Sequence, residues 1–318
     1  MSIKNPIQPF IDNSGLFVLD GALASELEVR GANLNDPLWS AKILLEQPEL
    51  LEAVNHAYLM AGADMVTTAT YQATFEGFSK RGLDTEDAIR LFQKAVDIAK
   101  NARSKFWEVE ANRQGRIKPI ISGSIGPFGA FLADGSEYSG RYDLTDEQLK
   151  DFHQKRLEVL INAGVDIVAF ETFPSFREAL VVLDLLKAFP EQYAIISFSC
   201  KDELHISDST PFHQVVAAID PYEKVAAIGV NCLPAQHVAS LLGAAAAVTE
   251  KPLMAYPNSG EHWNAQDHCW EAGDTDASIH DLVELWYELG AKLIGGCCRT
   301  DPSDIRRIRE KGPKVTSA

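Results

Sequence analysis

The chain has 318 residues, 46% of them hydrophobic and 23% charged, with a formal net charge of −16. That acidity argues against partners such as nucleic acid or anionic membrane, which call for basic patches, and it says nothing about fold. No apolar run reaches the roughly 18 residues of a transmembrane helix and the N-terminal MSIKNPIQPF lacks a signal-peptide core, so a cytoplasmic protein with reduced cysteines is expected.

In chain order, the first apolar run, LFVLD (16–20), leads to a helix predicted over 48–63 that opens on Pro48 and stops at Gly62. DMVTTAT (64–70) precedes a helical pattern over 84–106, and KPIISGS (118–124) precedes one over 145–164 with Thr145 as its cap. Then VDIVAFE (165–171) pairs with a helix over 175–189, AIISFSC (194–200) with 212–219, and VAAIGVNC (225–232) with 235–248. PLMAYPN (252–258) with 278–290 and KLIGGCC (292–298) with 302–311 complete the series. Proline near helix starts and glycine near helix ends are ordinary punctuation. Near-continuous apolar runs suit strands buried on both faces of a parallel sheet.

Strand–helix alternation repeated eight times predicts an α/β protein, a single-domain (β/α)8 barrel, with a doubly wound sheet as the rival. The barrel is expected to span 1–311, leaving 312–318 as a loose tail. The connections 71–83 and 125–144 gather glycine and aromatic residues. They follow the second and third strands and should overhang the active face.

In such barrels the chemistry sits at the C-terminal ends of the strands. The run ends supply Asp20, Thr70, Ser124, Glu171, Cys200, Cys232, Asn258 and the pair Cys297/Cys298. Inward-facing layers draw on alternate strands, so Glu171, Cys232 and Cys297, from the fourth, sixth and eighth runs, can share one layer. Adjacent strand residues point to opposite sides; Gly295 and Gly296 are expected to bend the backbone so that both sulfurs of the pair face inward. Three thiolates select a soft or borderline ion, most simply one zinc per chain, with a fourth position open for substrate. Zinc binding keeps a thiol deprotonated. Cys200, on an odd strand, and Cys269, in a polar loop, are read as structural, and His262 and His268 as solvated.

GVNC (229–232) and GGCCRT (295–300) resemble the zinc signatures of the homocysteine S-methyltransferase family. The resemblance extends to LDGALASELEVRG (19–31), TTATYQATFEGF (67–78), GSIGPFG (123–129), FETFPS (170–175) and YPNSGE (256–261), in order and over nearly the whole chain. It implies a (β/α)8 barrel that moves a methyl group to the thiolate of homocysteine, giving methionine. It implies Cys232, Cys297 and Cys298 as zinc ligands, Asp20 and Glu171 as holders of the substrate amino group, and the backbone at Gly21 and Ala22 as receiver of its carboxylate. Asn258 is a further candidate for positioning substrate. Betaine-using relatives carry a tyrosine near Gln72, so Gln72 points to a sulfonium donor, S-methylmethionine or S-adenosylmethionine. Tyr71, Phe128 and Phe173 are candidates to face the sulfonium.

Four rivals stand beside this reading. A metal-free thiol or redox enzyme would carry no stoichiometric zinc. A homocysteine methyltransferase could use another donor such as betaine. A structural zinc site would need a fourth protein ligand, and no cysteine or histidine at an adjoining strand end offers one. A cobalamin-linked role would call for a further domain. GSIGPFG is G-x-x-G-x-x-G, not the nucleotide-binding G-x-G-x-x-G. No obligate protein partner is evident.

Overall fold

The computed structural model describes residues 4–34, 39–260, 262–264, 269–271 and 278–313. β1 (Phe17–Val18), β2 (Met65–Thr67), β3 (Ile120–Ile125), β4 (Ile167–Phe173), β5 (Ala194–Phe198), β6 (Val225–Asn231) and β7 (Leu253–Tyr256) belong to one sheet. β8 (His262–Asn264) and β9 (Cys269–Glu271) pair antiparallel outside it, and β10 (Ala291–Ile294) is the eighth strand of the main sheet. Every pairing in that sheet is parallel: β2 through β7 in sequence, then β7 with β10 and β10 with β1. Sequential parallel strands with helices between them make a nearly closed (β/α)8 barrel. Each predicted strand and helix has a counterpart.

The helices form where capping and periodicity agree. Asp84 and Asp87 close a capping box at the head of Thr85–Glu108, and Thr145 and Gln148 do the same for Asp146–Asn162. Pro48 sits at the first position of Pro48–Ala61, whose end is turned off by Gly62 at φ 115°. Their apolar faces pack on the outward residues of the sheet, such as Val66, Val168, Phe170, Ile228 and Ile294. Inside the barrel sits a second cluster, including Phe17, Met65, Ile167, Ala169 and Leu293. The helix Gln8–Ser14 belongs with this interior: Ile7 and Phe10 join it, and Phe10 meets Phe17 edge-on at 5.0 Å.

The ring is closed differently at one place. Among the described residues no ladder joins β1 to β2. Instead the Asp64 N–H donates to Val18 O at 2.7 Å, and the Val18 N–H donates to the Asp64 carboxylate at 2.9 Å. At the other end the Thr67 N–H donates to the Asp20 carboxylate at 2.7 Å.

The connections 71–83 and 125–144 carry short helices, Phe75–Lys80 and Phe128–Leu132, and a 3-10 turn, Ser136–Tyr138. One expectation needs correction. Cys269, expected in a polar loop, lies in β9, paired with the strand that contains His262. His268 lies outside the described residues. Among those described, no helix is long and apolar enough to cross a membrane.

Candidate metal centre

Cys232, Cys297 and Cys298 meet at the C-terminal mouth of the barrel, their sulfurs all within 4.8 Å of one another. Cys297 Sγ and Cys298 Sγ are 3.9 Å apart. The Cys232 and Cys297 sulfurs are in direct contact, with Cα atoms 5.6 Å apart. Sulfurs at about 2.3 Å from a tetrahedral zinc stand about 3.8 Å from each other, so the donor set and the Cys297–Cys298 spacing fit that ion, while Cys232 and Cys297 would have to part to admit it. The cluster contains no fourth histidine, cysteine or acidic ligand among the described residues. Burial pushes the Cys298 thiol up to about 11, with the Arg299 charge opposing the rise and Glu171 adding to it.

The way the three sulfurs converge differs from the expected one. Along β10 the inward residue is Leu293, and alternation carries that face to Gly295 and Cys297. Neither Gly295 nor Gly296 has a positive φ. They are glycines because neighbours approach closely: a Cβ on Gly295 would lie 2.6 Å from Leu19 Cβ, and one on Gly296 2.4 Å from Thr300 Cγ2. The turn comes later, at Arg299 with φ 66°, where the Thr300 N–H donates to Cys297 O at 3.2 Å. On β6 the outward residues are Ile228 and Val230, so alternation turns Asn231 inward and Cys232 outward. Cys232 reaches the cluster because its own backbone is left-handed, at φ 52°.

Beside the sulfurs lies a cavity of about 180 Å³, lined by Asp20, Gly21, Ala22, Tyr71, Tyr138 and Glu171 among others. The Asp20 carboxylate accepts from the Thr67 N–H (2.7 Å), Thr67 Oγ1 (3.2 Å) and Tyr256 Oη (2.9 Å). Glu171 accepts from Ser124 Oγ. Burial raises the Asp20 carboxyl to about 6 against these hydrogen bonds. It raises Glu171 to about 7, with Ser124 opposing and Asp20 adding to the rise. Neither acid has a cationic side chain as partner among the described residues. Gly21 is glycine because a Cβ would lie 2.5 Å from the Tyr58 ring. The Ala22 N–H donates to Thr300 Oγ1 at 3.2 Å, and Tyr58 Oη donates to Ala22 O at 3.0 Å.

Of the residues singled out from sequence, Asp20, Gly21, Ala22, Tyr71, Glu171 and the three cysteines come together around this cavity. Gln72 and Asn258 do not line it; each has a buried side-chain oxygen with no hydrogen-bond partner among the described residues. Phe128 packs on Phe152 and Tyr142, and Phe173 on Phe170 and His153, so neither lines the cavity. Cys200 is also apart, its thiol directed at Phe198 O at 3.8 Å. Tyr138, Tyr58, Tyr256 and Thr172 also line the cavity without having been singled out from sequence; Tyr138 lies in a connection expected over the active face, and Thr172 and Tyr256 lie within FETFPS and YPNSGE.

Residues 17–311 match the family model for homocysteine S-methyltransferase. A homocysteine S-methyltransferase of Bacillus subtilis, YbgG, is 51% identical over 304 residues, covering 96% of each chain. Crystal structures of the homocysteine methyltransferase MmuM from Escherichia coli superpose on 97% of this chain and 100% of theirs. The oxidized form does so with a TM-score of 0.89 at 42% identity, and the metallated form with 0.88 at 40%.

Proposed function

We infer the activity from one premise: the chain belongs to the homocysteine S-methyltransferase family. It is a methyltransferase that converts homocysteine to methionine. The reading proposed beyond this is a zinc-dependent transfer from a sulfonium donor, S-methylmethionine or S-adenosylmethionine. The observation that carries it is the convergence of three sulfurs beside a cavity holding two unpaired carboxylates.

Cys232, Cys297 and Cys298 would hold one zinc. When bound, zinc supplies a Lewis acid that keeps a substrate thiol deprotonated near neutral pH. Asp20 and Glu171 would grip the homocysteine ammonium. Both are lifted toward neutrality by burial, and a cation placed beside them favours their charged forms. The backbone at Gly21 and Ala22 would take the carboxylate. Since the Ala22 N–H is already given to Thr300, the N–H groups of Leu23 and Ala24, residues that line the same cavity, would be the neighbouring donors. With both ends held, the substrate sulfur is aimed at the donor. It attacks the methyl carbon of the sulfonium; the S–CH₃ bond of the donor breaks and its electron pair leaves on a neutral thioether. No general acid is needed. Tyr71 and Tyr138 give that cation an aromatic wall.

A bond between Cys232 and Cys297 and a metal held by the same sulfurs exclude one another, so reduced protein is the form to assay. A panel of S-methylmethionine, S-adenosylmethionine and betaine at equal concentration tests the donor. Turnover with the sulfonium compounds and none with betaine is expected, together with one zinc per chain. Undiminished activity in metal-free protein defeats the mechanism, and preference for betaine defeats the donor assignment.

A further inference from the structure

β4 and β6 are not neighbours in the sheet, since β5 lies between them, yet their ends are tied together by one buried side-chain pair. Asn231 Oδ1 accepts the Thr172 N–H at 2.9 Å, and Asn231 Nδ2 donates to Thr172 Oγ1 at 2.7 Å. The acceptor needed by the Thr172 N–H fixes which way the amide faces. Thr172 Oγ1 lies 3.9 Å from Cys232 Sγ. The Asn231 amide donates to one lone pair of that hydroxyl, and the hydroxyl is placed to donate to the cysteine sulfur.

The backbone shows that this contact is imposed. Phe170 and Phe173 both face outward, and the β4–β5 register shifts between them, so Glu171 and Thr172 share the gap of a bulge. Bulges re-aim side chains in this way. Thr172 has φ 62°, a conformation that β-branched residues rarely adopt, and Cys232 has φ 52°. Regular alternation would turn both outward; in the structure both line the cavity. Two left-handed residues in contact, each on the residue whose side chain must be turned, persist only where surrounding bonds over-determine them. Asn231, fully buried, supplies those bonds.

We propose that Thr172 and Asn231 are positioning residues of the metal centre: the amide locks the bulge of β4, and the threonine hydroxyl donates to the Cys232 sulfur. This rests on the zinc reading above. Partners behind a metal ligand orient it and adjust its charge, and their loss commonly costs about 10- to 100-fold in affinity. Asn231 serves Glu171 as well, because the bulge it locks also sets the direction of that carboxylate.

The test is zinc affinity of the reduced full-length protein by competition with a chromophoric chelator, beside the sulfur-to-cobalt absorption of the cobalt-substituted protein. Thr172→Val removes the hydroxyl. Thr172→Gly removes it and relieves the left-handed backbone, so it guards against mere misfolding. Both should bind zinc about 10- to 100-fold more weakly and shift the cobalt band, and Asn231→Ala should follow them. Thr172→Ser keeps the hydroxyl and should match wild type in both readouts. Wild-type affinity in Thr172→Val and Thr172→Gly, or loss in Thr172→Ser equal to that in Thr172→Val, overturns this role alone. A wild-type chain that takes up no zinc removes the centre and this role with it.

Discussion

At the N-terminal end of the barrel, the buried Asp64 accepts the Val18 N–H and has two arginines: Arg309 bonds its carboxylate directly, and Arg116 stands 3.7 Å away. At the C-terminal end, Asp20 and Glu171 are held by an amide and hydroxyls alone. Both ends bury acids, but only one end supplies the cations. A buried carboxylate without a cation raises its pKa instead, and Asp20 and Glu171 do so. The first arrangement is complete in the folded chain and serves stability. Under the proposed function the second would be completed by the ligand, with the homocysteine ammonium as the matching group.

The largest effect expected is at the sulfurs. Cys298→Ser should abolish zinc retention, read by metal analysis, and reduce homocysteine methylation to background. Asp64→Asn comes next. It strands two arginines, and breaking a buried pair from one side costs about 3–5 kcal/mol. A urea denaturation midpoint should report that loss, while the homocysteine KM of the folded fraction stays as in wild type.

Glu171→Gln should do the opposite. It should leave the urea midpoint of substrate-free protein unchanged or higher, and lower kcat/KM for homocysteine about 100-fold, or about 2.7 kcal/mol. If Glu171→Gln unfolds the protein as Asp64→Asn does, the contrast between the two ends fails. The same carboxylate predicts a pH dependence. Burial lifts Glu171 to about 7 and Asp20 to about 6. If these carboxylates hold the ammonium as proposed, lowering the pH through 7 removes that charge, and the homocysteine KM should rise about tenfold between pH 8 and pH 6. Stability runs the other way: these raised groups favour the fold below their unfolded pKa, and that contribution is lost as pH climbs through about 6 and about 7. Glu171→Gln should lack the upper step in both curves. The smallest effect is expected at Tyr138, which is 50% exposed. Tyr138→Ala should raise the donor KM about two- to fivefold, the scale of an exposed cation–π contact, and leave the homocysteine KM alone.

Much of this was legible in the sequence because barrels repeat. Apolar runs and cap residues mark the strands and helices, and the strand-end rule brings Asp20, Glu171 and the cysteines to one face. What could not be read is where the backbone leaves its regular path. Alternation places Cys232 on the outside, and only its left-handed φ brings it in. Thr172 is hidden for the same reason, because nothing in FETFPS announces a bulge. The two glycines before Cys297 suggest a hinge, whereas the structure uses them for clearance against Leu19 and Thr300. Asn258 is a candidate from its place at a strand end and Gln72 from the family resemblance, and a residue or two past the last ladder bond decides whether a side chain meets the cavity or its wall.

The seam between β1 and β2 gives Asp20 a second duty. The carboxylate that would grip the substrate also receives the Thr67 amide, where a hoop of backbone ladder would otherwise run. Whatever draws charge onto Asp20 therefore tightens the last stitch of the wall. Protection of the Thr67 amide against deuterium should report on cavity occupancy from a position on the barrel wall itself, without any label on the ligand.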